Sequence, residues 1–285
     1  MNCRPLILDR TKWLGVSLIT LLMGCEDVIK VDTPPEEPRL IVESIIEVDV
    51  SENLTHLTAR ARLTSQFFGS VPFADLDRVT LTNLDTAIVL ELFRPETGIY
   101  EEFVKSSHII DRDLFLQFHY ENERFLARAT FKQVPEIAKI EQLSLASSNE
   151  GVSLEISFED VAGRIDFYLF KLGVGELMVL DDTFFDGQTH QFIYNYNTKL
   201  EVGQTIEISI LSIEEPFYHY MRQLISQSQE SNSPFDTPVA TLRGNIINVT
   251  DIDNQDFFDN LHQPEDFALG YFAVSQVHRK SIVVQ

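Results

Sequence analysis

The chain has 285 residues, a formal net charge of −22 and only two cysteines. Such an acidic balance excludes nucleic acid as a partner and argues strongly against an anionic lipid surface, because both require a basic footprint. The length is enough for one or two domains that are stabilised by packed cores.

The N-terminal segment is typical of a secretory signal peptide. Three basic residues and one acid precede the run from Trp13 to Gly24, which carries no charge. This run is shorter than the roughly 20 apolar residues that a membrane-spanning helix requires. The pattern therefore predicts a cleaved signal over residues 1–24 rather than a retained transmembrane helix.

The end of this segment carries a motif around the second cysteine. Leu22-Met23-Gly24-Cys25 resembles the lipobox of bacterial lipoproteins, and this resemblance implies a diacylglycerol on the thiol of Cys25. Two or more acyl chains anchor a protein stably, whereas one chain does so only marginally. The alternative is an ordinary buried cysteine. Since Cys3 leaves with the signal, we expect a folded body without a disulfide or a thiolate site.

Residues 25–38 are predicted to form a tether. Glu26 and Asp27 resemble the acidic export tag that sends Bacteroidota lipoproteins to the outside of the outer membrane, although a solvated tether is an equal interpretation. The three prolines between residues 34 and 38 favour an extended, semi-rigid spacer. We expect the protein to be lipid-anchored at the outer membrane, on a face that the sequence leaves open.

Residues 39–135 show the alternation of apolar and polar residues that indicates β-strands. In one strand Leu57, Ala59, Ala61 and Leu63 are predicted to share a buried face. Short strands separated by polar turns indicate a β-sandwich. Strands are predicted at about 39–50, 55–65, 77–84, 87–93 and 99–104, and a hairpin is predicted over 114–131 with its turn at Glu121 to Glu123.

This first domain resembles immunoglobulin-like and carboxypeptidase-regulatory-like sandwiches. The resemblance depends on Ala74 to Val79 and on Gly98-Ile99-Tyr100. Phe73 stands where such domains usually have a glycine, and four residues separate Ala74 from Val79. This departure leaves the strand register open.

Residues 136–285 are predicted to form a second β-sandwich-like domain with one amphipathic helix. Six further strands are punctuated by glycines, and their alternating aromatic residues are typical of a core, with a carbohydrate-stacking platform as the alternative. The helix is predicted over about 216–230, with Phe217, Met221, Leu224 and Ile225 on one face. A final strand at 268–277 is followed by a short apolar segment at 281–284.

Two acidic clusters are candidates for calcium. Asp181, Asp182 and Asp186 form one cluster, and Asp251, Asp253 and Asp256 form the other. The second does not follow the spacing of an EF-hand loop, and solvated acidic loops are the default interpretation of both. The seven histidines show no ligand pair, and no catalytic motif is present. We therefore expect no cofactor, no assigned metal site and no catalytic residue.

The ordered set of segments resembles the DUF4249 family of Bacteroidota lipoproteins. The resemblance implies that the protein acts beside a TonB-dependent outer-membrane receptor. The family itself has no established activity. The sequence favours a non-enzymatic accessory lipoprotein that binds a receptor or its small-molecule or glycan ligand. A structural or adhesive surface module and a hydrolase with a dispersed site remain as alternatives. The segments that carry the resemblance are Cys25–Asp32, Pro38–Ser44, Phe217–Leu224, Ser233–Ile246 and Leu269–Ser275.

Overall fold

The computed structural model describes residues 38–65, 70–143, 151–228, 241–250 and 267–285. In these ranges the chain is mainly β, as the sequence predicts, with one α-helix, and the elements are numbered here in chain order. The strands are β1 (Leu40–Val48), β2 (Leu54–Leu63), β3 (Asp77–Asn83), β4 (Val89–Glu91), β5 (Phe93–Glu96), β6 (Ile99–Lys105), β7 (Asp113–Tyr120), β8 (Glu123–Thr130), β9 (Ile137–Leu143), β10 (Ser153–Glu159), β11 (Phe167–Lys171), β12 (Leu177–Asp181), β13 (Thr189–Asn195), β14 (Thr205–Ile213), β15 (Arg243–Asn248) and β16 (Phe267–Val283). A 3₁₀ turn covers Ser106–His108, and the helix α1 covers Glu215–Ser228.

A first β-sandwich is built from ten strands in the order β4-β3-β7-β8-β15-β16-β1-β2-β6-β5. The alternation of residues along the strands places the apolar side chains of one face of this sheet in a common hydrophobic core. In β2 the predicted buried face is confirmed for Leu57, Ala59 and Ala61, which have no exposed surface, whereas Leu63 is only partly buried. The predicted strand at 87–93 is divided into β4 and β5. Pro95 lies in β5 at the edge of the sheet, where a missing N–H donor is tolerated.

The segments behind the immunoglobulin-like resemblance meet inside this core. The phenol oxygen of Tyr100 accepts a hydrogen bond from the Leu76 N–H at 2.5 Å and donates one to the Leu76 carbonyl at 3.0 Å. Burial raises the pKa of Tyr100, so the hydroxyl stays protonated and available as a donor. The tyrosine thus joins the start of β6 to the segment before β3.

A second sandwich places the three-stranded sheet β13-β10-β9 against β12, β11 and β14. Its core contains Phe158 from one sheet and Tyr168 and Phe170 from the other, with ring centroids 5.0 and 5.6 Å from that of Phe158. The aromatic residues at strand spacing are therefore core residues here, which is the interpretation that the sequence favoured.

Strand β16 belongs to both sandwiches. Residues 269–276 pair in parallel with β1, and residues 277–283 pair with β14. The prediction of a strand ending at residue 277 was wrong, because one strand of 17 residues runs through Val283. β15, which the sequence analysis did not identify, pairs with β8 and β16. The chain after residue 135 thus contributes two strands to the first sandwich.

The helix α1 contacts β11, β12 and β15 and covers the outer face of the sheet near Tyr271. Phe217 and Met221 are buried as predicted, but Leu224 is exposed and Ile225 is only partly buried. Of the predicted helix, residues 229 and 230 lie outside the described residues. Among the described residues, no helix is long and apolar enough to cross a membrane.

Strands β15, β16 and β1 approach each other unusually closely. A Cβ atom on Gly270 would lie 2.0 Å from the Val42 carbonyl oxygen, and one on Gly244 would lie 1.6 Å from the Gly270 oxygen. Beside them the side chain of Asn245 replaces missing ladder bonds. Its amide donates to the Phe272 and Arg128 carbonyls at 2.8 and 3.0 Å, and its oxygen accepts from the Phe272 N–H at 2.9 Å.

Candidate functional site: an aspartate cluster and the crevice beside it

Two loops meet at one end of the second sandwich. The loop 160–166 joins β10 to β11, and the loop 182–188 joins β12 to β13. Asp160 donates its backbone N–H to the Gln188 carbonyl at 3.0 Å, and Asp182 donates to the Asp166 carbonyl at 3.1 Å. These backbone bonds extend the strand pairing into the loops and so fix the positions of the acidic side chains.

Three aspartates converge between these loops. Asp160, Asp166 and Asp182 are only 5, 7 and 2% exposed, and one carboxylate oxygen of each lies within 4.8 Å of the others. Buried carboxylates are rare unless they are paired or hydrogen-bonded, so the identity of their donors decides what the cluster can do.

Each of the three carboxylates accepts a hydrogen bond from the protein. Asp160 accepts from the Tyr168 hydroxyl through one oxygen and from the Gly187 N–H at 2.8 Å through the other. Asp182 accepts from the Asp166 N–H at 2.9 Å. Asp166 accepts from the Arg164 guanidinium at 2.6 Å, and this ion pair places a positive charge beside the cluster.

The electrostatics of the cluster follow from burial and from the proximity of like charges. Burial raises the pKa of Asp182, and the Asp160, Asp166 and Asp186 carboxylates raise it further, against the bond from the Asp166 N–H, which lowers it. Burial and the bond to Asp160 raise the pKa of Tyr168, so this hydroxyl remains a donor.

The arrangement is best suited to holding the two loops together. Calcium takes six to eight oxygen ligands, and three carboxylates supply only part of such a set. Four of their six oxygens already accept bonds from backbone or side-chain donors, and Arg164 supplies a cation. The donor set therefore indicates a structural clamp, in which partly buried charges are balanced by protein groups.

The structure separates the residues of the first predicted calcium cluster. Asp182 joins the aspartate cluster, whereas Asp181 accepts bonds from the Thr183 hydroxyl and, at 3.0 Å, from the Tyr218 hydroxyl of α1. The Thr183 bond is the main reason that the pKa of Asp181 is lowered. Asp186 accepts from the Gly163 N–H at 2.8 Å.

Sequence reasoning missed two members of the cluster. Asp160 and Asp166 lie on either side of the β10–β11 loop, more than ten residues from Asp182. The available signal was their position directly after and directly before a strand, since strand ends at one edge of a sandwich come together. The other predicted site residues lie outside the described residues, and they are Leu22, Met23, Gly24, Cys25, Asp251, Asp253 and Asp256.

A crevice of about 370 Å³ lies beside the cluster, and Lys132, Gln133, Arg164, Asp166 and Glu214 are among the residues that line it. Glu214 accepts from the Thr130 N–H at 3.2 Å, and burial raises its pKa. The lining of this crevice thus includes both cations and carboxylates.

A larger cavity of about 590 Å³ lies near the C-terminal residue. Among the described residues that line it, Lys199 is the one with an ionisable side chain, and the others are Gln142, Gly151, Val152, Asn197, Leu200 and Gln285. His190, which lies elsewhere in this sandwich, stacks on Phe185 with ring centroids 3.9 Å apart, and burial lowers its pKa. The contact with Phe185 places His190 among the aromatic side chains of this sandwich.

The comparisons with known proteins identify a family. The profile of the family described as a domain of unknown function, DUF4249, matches residues 26–281. The chain belongs to the DUF4249 family. A search of curated proteins gives no match. Among solved structures, this DUF4249 protein is similar to a two-domain fibronectin type III segment of chicken tenascin, with 14% identity over 62% of this chain and 91% of that chain and a TM-score of 0.21.

Proposed function

We propose that this DUF4249 protein is a non-enzymatic lipoprotein that is anchored to a bacterial outer membrane through Cys25. The observation that carries the proposal is Leu22-Met23-Gly24-Cys25 at the end of a charge-free run. The extent of the family match supports it, because the matched region begins at residue 26, directly after the cysteine that becomes the new N-terminus.

The aspartate cluster supports a role without catalysis. Its carboxylates accept hydrogen bonds from Tyr168, Arg164 and two backbone N–H groups, so these bonds would have to break before a substrate or an ion could use the same oxygens. Catalytic carboxylates act through free positions that reach a substrate. The second sandwich is therefore proposed to be a rigid support for its loops.

The proposed partner is a TonB-dependent nutrient receptor, and the proposed contact is the outer face of β5 and β6. Phe93 and Phe103 are 68 and 60% exposed, and both flank Glu101 on this face. His56 stacks on Phe103 with ring centroids 4.3 Å apart and holds the phenyl ring in place. Neighbouring exposed aromatic residues on a rigid sheet favour contact with another protein.

Two experiments test the proposal. Mass spectrometry of the native protein should find a diacylglycerol on Cys25, and Cys25→Ala should abolish lipid attachment and leave precursor or soluble protein. An unmodified thiol at Cys25 in the native protein would refute the anchor.

For the partner, the native protein should retain a TonB-dependent receptor when it is purified from solubilised outer membrane. Phe103→Asp should weaken this recovery, and Phe184→Asp is the matched control because Phe184 is also exposed but lies in the second sandwich. Equal recovery with both variants would refute the proposed contact. The absence of any receptor would favour an adhesive or structural module.

A further inference from the structure

Strand β13 forms an open edge of the second sandwich. Among the described strands it pairs with β10 alone. The Asp160 N–H donates to the Gln188 carbonyl before β13, and the Tyr196 N–H donates to the Val152 carbonyl after it. Hydrogen-bonded pairs alternate along an antiparallel ladder, so every second residue of β13 directs its backbone groups away from β10. These outward residues are Thr189, Gln191, Ile193 and Asn195.

The other edge strands that the structure describes carry features that discourage the addition of a further strand. β4 has three residues, and β5 contains an arginine, a proline and a glutamate. β12 has five residues and ends in Asp181. The edge of β9 is covered by β16, because Lys280 donates to the Ile137 carbonyl at 3.3 Å and the Ile137 N–H donates to His278 at 3.1 Å. Shortness, charge, proline and covered backbone groups are the usual protections of a sheet edge.

β13 has none of these protections. It contains seven residues without a charged side chain or a proline, although 23% of the residues of the chain are charged, and its register with β10 is regular. Its histidine, His190, stacks on Phe185, and burial lowers its pKa. The side chain of Ile193 is 55% exposed beside neutral polar residues. Such a strand is suited to pairing with another uncharged strand.

The uncharged edge fits a second copy of itself. A chain with a net charge of −22 repels its own copies, so self-association requires a surface without acids. An antiparallel pair with a two-fold axis at Phe192 places Gln191 opposite Ile193 of the second copy, and Thr189 opposite Asn195. Both members of each pair have outward backbone groups, so the strands can exchange ladder hydrogen bonds along their whole length.

The carboxylates on the neighbouring strand lie far from their equivalents in such a pair. Glu155 and Glu159 of β10 lie opposite Ile193 and Thr189 of β13. The two β10 strands would be three strand spacings apart, about 14 Å, which exceeds the Debye length of about 8 Å at physiological salt. Glu155 also has the ammonium of Lys139 at 3.8 Å. These acids therefore do not prevent the pairing.

Both signs of charge occur beyond the ends of β13. Asp186 precedes the strand and accepts a backbone N–H at 2.8 Å, and Lys199 and Glu201 follow the strand. The antiparallel pair brings the end preceded by Asp186 to the end followed by Lys199 of the second copy. Glu176, in the turn before β12, accepts from the hydroxyl of Tyr194 of β13 at 2.8 Å. The acids around β13 thus have donors in their own copy or a cation across the two-fold axis.

We propose that two copies of this protein associate through β13 and so join their three-stranded sheets into one antiparallel sheet of six strands. The strand order is β9-β10-β13-β13-β10-β9, and the two-fold axis passes at Phe192. Two strands of seven residues form less than a standard interface, so the dimer is reversible. Its contacts are backbone hydrogen bonds and neutral side chains, and salt strengthens it by screening the repulsion between two acidic copies. This inference does not depend on the proposed lipid anchor.

Cysteine crosslinking in whole cells tests the pairing and its register. The full chain carries either Ile193→Cys or Thr189→Cys, and both positions are exposed. In the two-fold pair the two copies of position 193 lie about 8 Å apart, whereas the two copies of position 189 lie about 20 Å apart. A short bis-maleimide should therefore give a covalent dimer with Ile193→Cys. With Thr189→Cys it should give no more dimer than the unsubstituted chain, which measures the background from Cys3 and Cys25.

Substitutions of Gln191 identify the contribution of the backbone. The Gln191 N–H points away from β10, so Gln191→Pro leaves the pairing with β10 in place and removes a donor of the dimer. Together with Ile193→Cys it should lower the dimer yield roughly fivefold or more, because the bond is lost on both sides of the axis. Gln191→Ala is the matched control, since it keeps the N–H and should retain the yield.

A second substitution serves if Gln191→Pro fails to fold, which far-ultraviolet circular dichroism detects. Gln191→Glu keeps the shape of an exposed side chain but places two carboxylates about 8 Å apart across the axis. In the purified full chain with Ile193→Cys, it should lower the dimer yield roughly two- to tenfold in low salt. Added salt should restore the yield.

Four results would overturn the proposal. They are the absence of a dimer with Ile193→Cys, equal dimer yields with Ile193→Cys and Thr189→Cys, equal yields with folded Gln191→Pro and Gln191→Ala, and an unchanged yield with Gln191→Glu in low salt. A product that joins position 193 to a different protein also contradicts it, because the edge of β13 would then belong to another partner.

Discussion

Gly270→Ala is the sharpest test of how β1, β15 and β16 fit together. Gly270 has a φ of +91°, and an added Cβ would lie 2.0 Å from the Val42 oxygen. The left-handed backbone costs an L-residue about 1–2 kcal/mol. The clash must also displace the β1–β16 ladder, and the loss of one or two hydrogen bonds adds about 1–3 kcal/mol. We expect the free energy of unfolding to fall by about 2–5 kcal/mol, a large part of the roughly 5–15 kcal/mol that stabilises a domain.

Two other glycines separate these contributions. Gly203 has a φ of +88° but open space around it, so Gly203→Ala measures the backbone cost alone and should destabilise by about 1–2 kcal/mol. Gly244 has no positive φ, but its added Cβ would lie 1.6 Å from the Gly270 oxygen, so Gly244→Ala measures the clash alone. The effect of alanine on the unfolded chain is similar in all three variants and cancels in the differences.

Urea unfolding followed by far-ultraviolet circular dichroism measures these changes, because the single tryptophan, Trp13, lies in the predicted signal peptide. The expected order of destabilisation places Gly270→Ala above Gly203→Ala by at least 1 kcal/mol. If the two variants unfold at the same urea concentration, the close approach of Gly270 to Val42 does not constrain the fold, and the reasoning is refuted.

Three further predictions concern polar side chains. Asn245→Ala should lower the free energy of unfolding by about 2–4 kcal/mol, because it leaves the Phe272 backbone groups without partners. Asn245→Asp should cost as much, because a carboxylate cannot donate to the Phe272 carbonyl. A loss below 1 kcal/mol in both variants would contradict the role of the amide. Asp182→Asn should leave the protein as stable at pH 7, or more stable by about 1 kcal/mol, because the raised pKa of Asp182 means that its ionised form opposes folding. This advantage of the variant should disappear below pH 3.8, where the carboxyl group is protonated in both states. If the variant is destabilised only when calcium is added, the cluster is instead a metal site. Tyr218→Phe should lower the free energy of unfolding by about 0.5–1.5 kcal/mol at pH 7, because it removes the hydrogen bond to Asp181. The pKa of Asp181 is lowered in the folded state, so the stability from its ionised form is present above pH 3.8 and is lost as the pH falls through the lower folded pKa, and the cost of the variant should shrink accordingly. A cost that is unchanged at low pH would show that the loss of this hydrogen bond is not its cause.

The local sequence pattern predicted those strands and helices in which apolar residues recur at regular intervals within a few positions of each other. The alternation of Leu57, Ala59 and Ala61 fixed a buried face of β2, because successive side chains of a strand point to opposite sides. The spacing of Phe217 and Met221 located the helix in the same way. Leu224 fits this spacing but is 39% exposed, so the spacing alone does not show how far along the helix the contact with the sheet extends.

The aspartate cluster was only partly predictable. Asp182 stood out in a run of acids, but its neighbour Asp181 points to α1, and its partners Asp160 and Asp166 come from another loop. Adjacent residues near the end of a strand face opposite sides, so a run of acids in sequence is divided between two environments.

By itself, the sequence determined the mainly β class, the helix, the alternation that fills each core and the family. Only the tertiary structure decided that β16 serves both sandwiches, that β15 joins the first of them, and that aspartates from two separate loops converge. The physical reason is that periodicity records which residues avoid water, whereas strand order and register depend on contacts between segments that lie far apart in the chain.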